Sequence, residues 1–261
     1  MLMKLGVRVQ QILPSGQGVV VNTVRGASDV VLVCEHASAY IPPALNNLGL
    51  REQDRLSHAA WDIGALAVAE RMARIMDATL VSGAVSRLVY DCNRPPDAPD
   101  AMPERSERIA VPGNVGLSAS ARAERVATYY QPFRQALGDA ISACAKPAIV
   151  TIHSFTPLYH GKPREVEIGL LHDSDSRLAD AMLALAPGHT VMNTQRNAPY
   201  GPEDGVTHTL KEHALPGGHL NVMIEVRNDL IATKGQQDLM AEMLSDWTSA
   251  ALEKARGDHD A

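Results

Sequence analysis

The sequence predicts an α/β fold of one domain, in which helices cover both faces of a mostly parallel sheet. Short runs rich in Val, Ile and Leu alternate along the chain with longer segments of helical periodicity, which is typical of such sheets. The runs are apolar at successive positions, as expected of strands buried on both sides. A length of 261 residues suits one such domain and allows a sizeable core.

Aliphatic and β-branched side chains define the strands. In chain order, the predicted strands are residues 29–34, 79–81, 87–90, 148–152, 166–171 and 221–227. Ligands of open α/β sheets bind beyond the carboxyl ends of the strands. The polar residues at these ends are therefore the first candidates for a functional site.

Helical periodicity fills the segments between these strands. Apolar residues recur at helical spacing over 66–76, directly after Asp62. Further helices are predicted at 118–145, 175–185 and 236–256. Pro132 is expected to divide or kink the first of these three helices, because proline interrupts helical hydrogen bonding.

The remaining segments predict loops and chain ends. Residues 98–117 carry several Pro and Gly residues and predict a long loop, which in a compact domain is often functional. Residues 1–25 are interpreted as an N-terminal extension, and 257–261 as a frayed tail. Gly16-Gln17-Gly18 lacks the third glycine of a dinucleotide fingerprint and predicts only a turn.

Composition excludes several classes of protein. The net charge is -6 with no run of five like charges, which argues against a nucleic-acid partner, and no apolar stretch is long enough for a membrane span. Three distant cysteines without a CxxC pair argue against a disulfide framework. With no apparent secretory signal, a cytoplasmic location is expected. The HExxH, GxSxG and GxxxxGK[ST] motifs are also missing from the sequence.

Two histidines follow apolar runs and could bind a metal. His36 comes after the run 29–34, and His153 comes after 148–152. A zinc site needs neutral imidazoles and usually a carboxylate, which Asp62 or Glu35 could supply. The alternatives stay open at this point, because a histidine at a strand end is often only a polar loop residue and Asp62 could be a helix N-cap.

His58 lies four residues before Asp62 and could be a further ligand or a partner of one. Glu225 lies inside the apolar run 221–227, where a carboxylate must be paired, bind a metal or have a raised pKa. It is a candidate general base. Arg227 lies two positions later and faces the same side of a strand, so a structural ion pair between the two is the alternative.

Three further side chains are candidates for substrate binding. Arg94, in Asn93-Arg94-Pro95, offers a planar fork suited to a carboxylate, although a proline-closed turn is the simpler interpretation. Arg87 is the second candidate for an anion anchor. Tyr200, in the predicted loop 197–205, could line the site or simply lie in a solvated turn.

Taken together, these segments resemble the N-formylglutamate amidohydrolase family. The resemblance runs in order from about residue 30 to 231 and is carried by VLVCEHAS at 31–38, IP at 41–42, HAAWDIGA at 58–65, SRLVYDCNRP at 86–95, TIHSFTP at 151–157, EIGLL at 167–171, NAPY at 197–200, DGVTHTL at 204–210 and IEVRN at 224–228. It is specific to the superfamily and less specific to one substrate.

The resemblance implies a three-layer fold similar to zinc carboxypeptidases and aspartoacylases, with a twisted mixed sheet between helices. It also implies release of formate from N-formylglutamate, a late step in one route of histidine breakdown. By motif, His36 and His153 are implied as ligands of one zinc ion per chain, Asn93 and Arg94 as the clamp for a substrate carboxylate, and Glu225 as the base.

The sequence departs from the superfamily pattern at one ligand. The relatives carry a ligand Glu three residues after the first histidine, where this chain has Ala39. Asp62 is therefore expected to be the middle ligand, with Glu35 in reserve. In the implied mechanism, zinc lowers the pKa of its water to about 7, Glu225 takes and returns the proton, and Arg227 stabilises the oxyanion.

Two other functions remain open at this stage. An amidase could act on another N-acyl amino acid or on a peptidoglycan fragment, and a non-catalytic homologue could only bind a ligand. Glu225 argues against the second alternative, because a binding protein needs no base. The oligomeric state, the acyl group and the identity of the divalent ion are not predicted.

Overall fold

Twelve strands lie along the chain in the computed structural model, which describes residues 7–12 and 18–257. They are β1 (Arg8–Ile12), β2 (Val19–Val24), β3 (Val30–Cys34), β4 (Thr79–Gly83), β5 (Arg105–Ser106), β6 (Ile109–Ala110), β7 (Ala148–Phe155), β8 (Leu158–Tyr159), β9 (Lys162–Pro163), β10 (Ile168–Leu171), β11 (Thr194–Arg196) and β12 (Leu220–Arg227).

Seven α-helices accompany these strands within residues 7–12 and 18–257. They are α1 (Glu52–Arg55), α2 (Ala65–Met76), α3 (Ala119–Arg125), α4 (Gln131–Ser142), α5 (Arg177–His189), α6 (His208–His213) and α7 (Lys234–Gly257). None of the described helices is both long and apolar enough to cross a membrane.

Eight strands form one mixed sheet in the order β1-β2-β4-β3-β7-β12-β10-β11. The central pairs β4–β3, β3–β7 and β7–β12 are parallel, as is the outer pair β10–β11. The pairs β1–β2, β2–β4 and β10–β12 are antiparallel. The predicted α/β class and mostly parallel sheet are confirmed.

Helices pack on both faces of the sheet. On one face, α2, α5 and α7 cover an aliphatic core that includes the fully buried Trp247, whose indole N–H donates to the Met182 carbonyl at 2.8 Å. On the other face, α4 and α6 cover a second core together with the loop that follows β4. The predicted helical layers on both faces are therefore present.

The predicted strand at 87–90 is wrong. The segment forms a turn in which the Val89 N–H donates to the Ser86 carbonyl at 2.9 Å, while the Ser86 hydroxyl donates to the Ala60 carbonyl at 2.8 Å. Its apolar side chains are nevertheless buried in the second core. The apolar run therefore indicated burial, and composition alone did not distinguish a buried turn from a strand.

The predicted helix at 118–145 is divided where proline was expected to divide it. Helix α3 begins after Ser118, whose hydroxyl accepts the Ala121 N–H at 3.2 Å. A π-helical turn, Val126–Tyr130, separates α3 from α4, and Pro132 lies at the start of α4. The wider turn accommodates the missing proline N–H at this position.

Part of the predicted N-terminal extension belongs to the sheet. β1 and β2 form an antiparallel pair, and β2 continues the sheet by pairing with β4. Neither strand was predicted from the sequence. The predicted turn at Gly16-Gln17-Gly18 lies mostly outside the described residues, as do positions 258–261 of the predicted frayed tail.

Candidate active site and metal centre

The candidate site lies at the carboxyl ends of the parallel strands. Glu35 and His36 directly follow β3, and Arg87 follows β4 after a short loop. His153 lies near the end of β7, which extends farther than predicted, so this histidine is inside the strand. Glu225 is its register partner on β12. The central part of the sheet thus brings residues from distant parts of the chain to one edge.

His36, Asp62 and His153 form a buried cluster with the donor types of a metal site. One ligand atom from each residue lies within 4.8 Å of the other two. Asp62 Oδ2 is 3.3 Å from His36 Nδ1 and 2.8 Å from His153 Nδ1. Each of the three side chains is at most 4% exposed.

A second carboxylate lies behind each imidazole of the cluster. His36 Nε2 is 2.7 Å from Asp91 Oδ1, and His153 Nε2 is 3.0 Å from Glu35 Oε2. Each histidine thus turns Nε2 to a carboxylate and Nδ1 to Asp62. Carboxylates in this position orient metal-binding histidines and raise their basicity.

The charges of these groups shift one another's pKa values. Burial acts to lower the pKa of His153, but Glu35 and Asp62 outweigh it and hold the pKa well above its usual value. Burial acts to raise the pKa of Glu35, but His153 outweighs it and lowers that pKa. The pKa of Asp62 is raised, chiefly by burial.

Asp62 faces the cluster and is not a helix N-cap. Its backbone N–H donates to the His36 carbonyl at 2.9 Å, and its Oδ2 accepts the Ser154 N–H at 3.3 Å. The N-cap position of α2 is Gly64, which has a φ of 85°, and no side chain caps this helix. A Cβ at Gly64 would lie 2.6 Å from the Ile231 carbonyl oxygen, so the turn that follows Asp62 requires glycine.

Arg87 reaches into the cluster from the turn that replaces the predicted strand. Its Nη2 donates to Asp62 Oδ1 at 2.8 Å and contacts His36 Nδ1. The guanidinium is therefore paired with a cluster carboxylate. Arg87 therefore lies next to the His36–Asp62–His153 cluster. In this position it is poorly placed to bind a substrate carboxylate far from the cluster.

Glu225 is a buried carboxylate beside the cluster. Its side chain lines the same cavity, the residue is 4% exposed, and its Oε2 has no hydrogen-bond partner among the described residues. Burial raises its pKa to about 7, and Asp62 adds to this effect while His153 opposes it. The ion pair with Arg227, which the sequence left open as the alternative, does not form, since no salt bridge joins the two within the described parts of the chain.

Arg227 instead binds residues outside the cavity. Its Nε is 2.8 Å from Asp229 Oδ1, its Nη2 is 3.5 Å from Glu167 Oε1, and its Nη1 donates to the Arg164 carbonyl at 3.2 Å. Arg227 is not among the described residues that line the cavity. The oxyanion role that the resemblance implied for Arg227 is therefore not supported by its position.

The cavity in front of the cluster has a volume of about 350 Å³. Its wall includes residues from both small hairpins and from the segment after β11. Its lining includes His36, His153, Glu225, Tyr159 and Tyr200. A volume at the lower end of the usual range suits a small ligand.

Asn93 and Arg94 line the cavity, but other groups already bind their polar atoms. The Asn93 amide donates to the Val206 carbonyl at 2.5 Å and accepts the Thr209 N–H at 2.9 Å. Arg94 Nε is 2.6 Å from Asp100 Oδ2, and its two terminal nitrogens donate to backbone carbonyls. These contacts are typical of a structural turn, which was the alternative to a carboxylate clamp in the interpretation of the sequence.

His58 and Tyr200 also lie at the cavity. His58 Nε2 is 3.0 Å from Glu107 Oε2, so it pairs with the loop between β5 and β6 and is not part of the three-residue cluster. Tyr200 lines the wall, and burial raises its pKa to about 12. Tyr200 therefore stays protonated near neutral pH.

Sequence reasoning missed three residues of the site. Asp91 ends an apolar run, a signal like that of His153, but its contact with His36 was not foreseen. Glu107 lies in the predicted loop 98–117 and had no separate signal. Arg164 lies among Phe155, Tyr159 and Tyr200 with no feature in the sequence that marks it.

The residues present fit a divalent metal ion. The two Nδ1 atoms and the Asp62 carboxylate converge, while both Nε2 atoms are directed to carboxylates, as in histidine-rich zinc sites. Glu35 Oε2 and His153 Nε2 approach to 3.0 Å at ion-pair distance but without hydrogen-bond geometry, so both Glu35 oxygens and this nitrogen lack a hydrogen-bond partner among the described residues. Glu35 thus remains within reach of the cluster as a support for His153.

This arrangement defines the protein as a three-layer α/β protein with a buried His–Asp–His cluster at the carboxyl edge of its sheet. The family model of N-formylglutamate amidohydrolase matches residues 28–232. The chain therefore belongs to the N-formylglutamate amidohydrolase family and is a hydrolase of amide bonds. The predicted family is confirmed.

Two solved structures are similar to this chain. The gene product Atu2144 from Agrobacterium tumefaciens is 52% identical, with a TM-score of 0.90 over 94% of this chain and 99% of that one. The N-formylglutamate amidohydrolase from Ralstonia eutropha JMP134 is 19% identical and has a TM-score of 0.62, covering 91% of this chain and 97% of that one, which shows a shared fold. No protein of curated function matches the chain.

Proposed function

We propose that the protein hydrolyses N-formylglutamate to formate and glutamate, with one zinc ion as cofactor. The observation that carries the proposal is the position of Glu225, a buried carboxylate with a free oxygen in the same cavity as the His36–Asp62–His153 cluster. A base beside a metal centre is one of the arrangements that catalyse amide hydrolysis. The family match supports the choice of reaction.

His36, Asp62 and His153 are the residues that would hold zinc. When bound there, zinc supplies Lewis acidity, which polarises the amide carbonyl and makes a water molecule more acidic. Asp91 and Glu35 keep the two imidazoles in the orientation that directs Nδ1 toward the cluster.

Glu225 is the proposed proton carrier. Its Oε2 accepts the proton of the attacking water, whose oxygen forms a bond to the formyl carbon. The C–N bond then breaks, and the same oxygen returns the proton to the departing amine. A pKa of about 7 allows the carboxylate to accept and to release a proton near neutral pH.

Arg87 is the proposed partner for negative charge that develops on the formyl oxygen. It is the cation that contacts the cluster, through Asp62 Oδ1 and His36 Nδ1. A fixed cation at this position stabilises charge without reorganisation during the reaction. In this proposal it replaces Arg227, whose guanidinium binds Asp229 and Glu167.

The test is formate release by purified protein supplied with zinc. Formate is expected from N-formylglutamate, chelator treatment should abolish the activity, and added zinc should restore it. Glu225→Gln should keep its zinc but lose about 10²- to 10⁴-fold in kcat/KM, the usual effect of a lost general base. Glu253→Gln, which changes an exposed glutamate of α7, is the control and should match the wild type.

Two results would contradict the proposal. Near-normal turnover by Glu225→Gln would remove its role as the base. Absence of formate release from N-formylglutamate by the zinc-loaded wild type would reject this substrate. Release of another acid from a different N-acyl amino acid in the same assay would keep the reaction type and change the acyl group.

A further inference from the structure

Arg164 has an unusual environment beside the cavity. Its guanidinium carbon lies 5.5 Å from the ring centroid of Phe155, 4.4 Å from that of Tyr159 and 4.7 Å from that of Tyr200. All three rings belong to residues that line the cavity. The arginine is half-buried, since it is neither fully covered nor freely exposed.

No carboxylate forms an ion pair with Arg164 within the described residues. The polar contact of its side chain with the backbone is a long one, from Nη1 to the Thr156 carbonyl at 3.4 Å. Cation–π contacts compensate part of the cost of removing a guanidinium from water, but they do not use its five N–H donors, which otherwise interact with the Thr156 carbonyl and the Tyr200 hydroxyl. A half-buried cation of this kind favours binding of an external anion.

The other arginines near the cluster are already neutralised. Arg87 is paired with Asp62 at 2.8 Å, and Arg94 is paired with Asp100 at 2.6 Å. Arg105 lines the cavity and is exposed, with one long contact to a backbone carbonyl. Arg164 is therefore the half-buried cation at this site that retains capacity for a ligand.

The backbone around Arg164 is fixed on both sides. Its N–H donates to the Pro157 carbonyl at 2.9 Å, which closes the base of the β8–β9 hairpin. Its carbonyl accepts from Arg227 Nη1 at 3.2 Å. Arg227 thus ties the backbone at Arg164 to the end of β12, two residues after Glu225.

We propose that Arg164 binds a carboxylate of the substrate and sets the preference of the enzyme for acidic N-acyl amino acids. The proposal rests on the proposed function and assigns the anchor to Arg164 in place of Arg94. The planar guanidinium offers paired N–H donors to a carboxylate, and the surrounding rings hold its plane and exclude water. The reacting amide would then lie between this anchor and Glu225.

The kinetic test compares Arg164→Met with the wild type on N-formylglutamate and N-formylglutamine. The variant should lose about 10²-fold or more in kcat/KM on N-formylglutamate, mainly through KM, because a buried charge-assisted contact is lost. A loss confined to N-formylglutamate is expected. An equal loss on both substrates would assign Arg164 to the α-carboxylate and would overturn its role in the preference for an acidic side chain. Arg164→Lys should recover part of the loss, which a merely structural role would not predict.

Two control variants accompany the test. Arg74→Met removes an exposed charge from α2 and should leave both substrates unaffected. Arg105→Met removes a cation that lines the cavity itself and that forms no ion pair among the described residues, whereas Arg164 packs behind rings of the cavity wall. A large loss for Arg105→Met together with wild-type kinetics for Arg164→Met would overturn the proposal.

A binding measurement separates this proposal from the proposed function. Calorimetric titration with glutarate and with glutamate requires no turnover, and we expect Arg164→Met to bind both at least tenfold more weakly than the wild type. Equal binding by the two proteins, or no binding by the wild type, would overturn the role of Arg164. If the wild type binds these carboxylates but releases no formate, the proposed reaction fails while the anchor stands.

Discussion

Both histidines of the cluster use the same nitrogen in the same way. His36 and His153 direct Nε2 to Asp91 and Glu35 and leave Nδ1 facing Asp62. This repeated arrangement is more informative than the presence of two histidines, because it turns the same ring nitrogen of both toward Asp62, with Arg87 Nη2 also in contact with His36 Nδ1. It also places Asp62 between two imidazoles, so this aspartate is the residue on which the assignment of the metal centre most depends.

Asp62→Asn tests that assignment. Asparagine keeps the shape of the side chain but removes the charge that attracts a cation, so zinc affinity should fall more than in Asp91→Asn. The latter removes only a supporting carboxylate, for which a loss of about 10- to 100-fold is expected. Competition titration with a zinc-binding dye measures both, and Asp246→Asn, on the exposed side of α7, is the control. Wild-type affinity in Asp62→Asn would refute the proposed ligand.

Strands and helices were predictable where the apolar pattern is long and continuous. β3, β7 and β12 are buried at nearly every position, and their sequences show it. β1 was not predicted because its residues are mostly exposed, so no apolar pattern marks it. His153 and Glu225 were also predictable, because each is a polar residue within or directly after an apolar run. Arg164 could not be found in this way, because its environment is created by rings from separate segments.

The close contact between β4 and the segment after β3 leads to a prediction at the scale of elements. A Cβ at Gly83 would lie 2.2 Å from the Glu35 carbonyl oxygen, so Gly83→Ala must displace the backbone next to His36. We expect the free energy of unfolding to fall by about 1–3 kcal/mol, as for other overpacked sites, and zinc affinity to fall with it. Denaturant unfolding and zinc titration measure the two effects.

Gly138→Ala is the matched control for this substitution. Gly138 lies in α4, and a Cβ there has no heavy atom within 4 Å. Alanine should raise stability by roughly 0.5–1 kcal/mol, because it favours the helix. If Gly83→Ala were as stable as Gly138→Ala and bound zinc normally, the strand end would be more adaptable than its packing indicates.

For the whole molecule, the buried site links stability to pH. The pKa of Glu225 is raised to about 7 by burial, and those of His153 and Asp62 are also raised. A raised folded-state pKa contributes stability that is fully present below the unfolded pKa and is lost as pH rises through the folded value. Glu35 has the opposite effect on stability. Its folded-state pKa is lowered, so its contribution to the free energy of unfolding is lost as the pH falls.

Chelator-treated protein should therefore become less stable between pH 4.5 and about 7. Glu225 contributes up to about 3 kcal/mol to this change, since one pKa unit corresponds to about 1.4 kcal/mol. Thermal unfolding of the wild type and Glu225→Gln across this range measures it, and the variant should show the smaller decline. Zinc should raise stability most at the upper end, where its ligands are deprotonated. Identical pH profiles for the two proteins would contradict the proposed dependence of stability on the protonation of Glu225.

The order of the sheet differs from the order of the chain in one consequential way. β12 is the last strand of the described chain, yet it lies between β7 and β10, both of which are made earlier. During translation, these two strands expose unpaired edges until residues 220–227 leave the ribosome. The sheet is therefore complete only after β12 has been synthesised, and until then the open edges of β7 and β10 are able to pair with other chains. The strand that fills this position also carries Glu225.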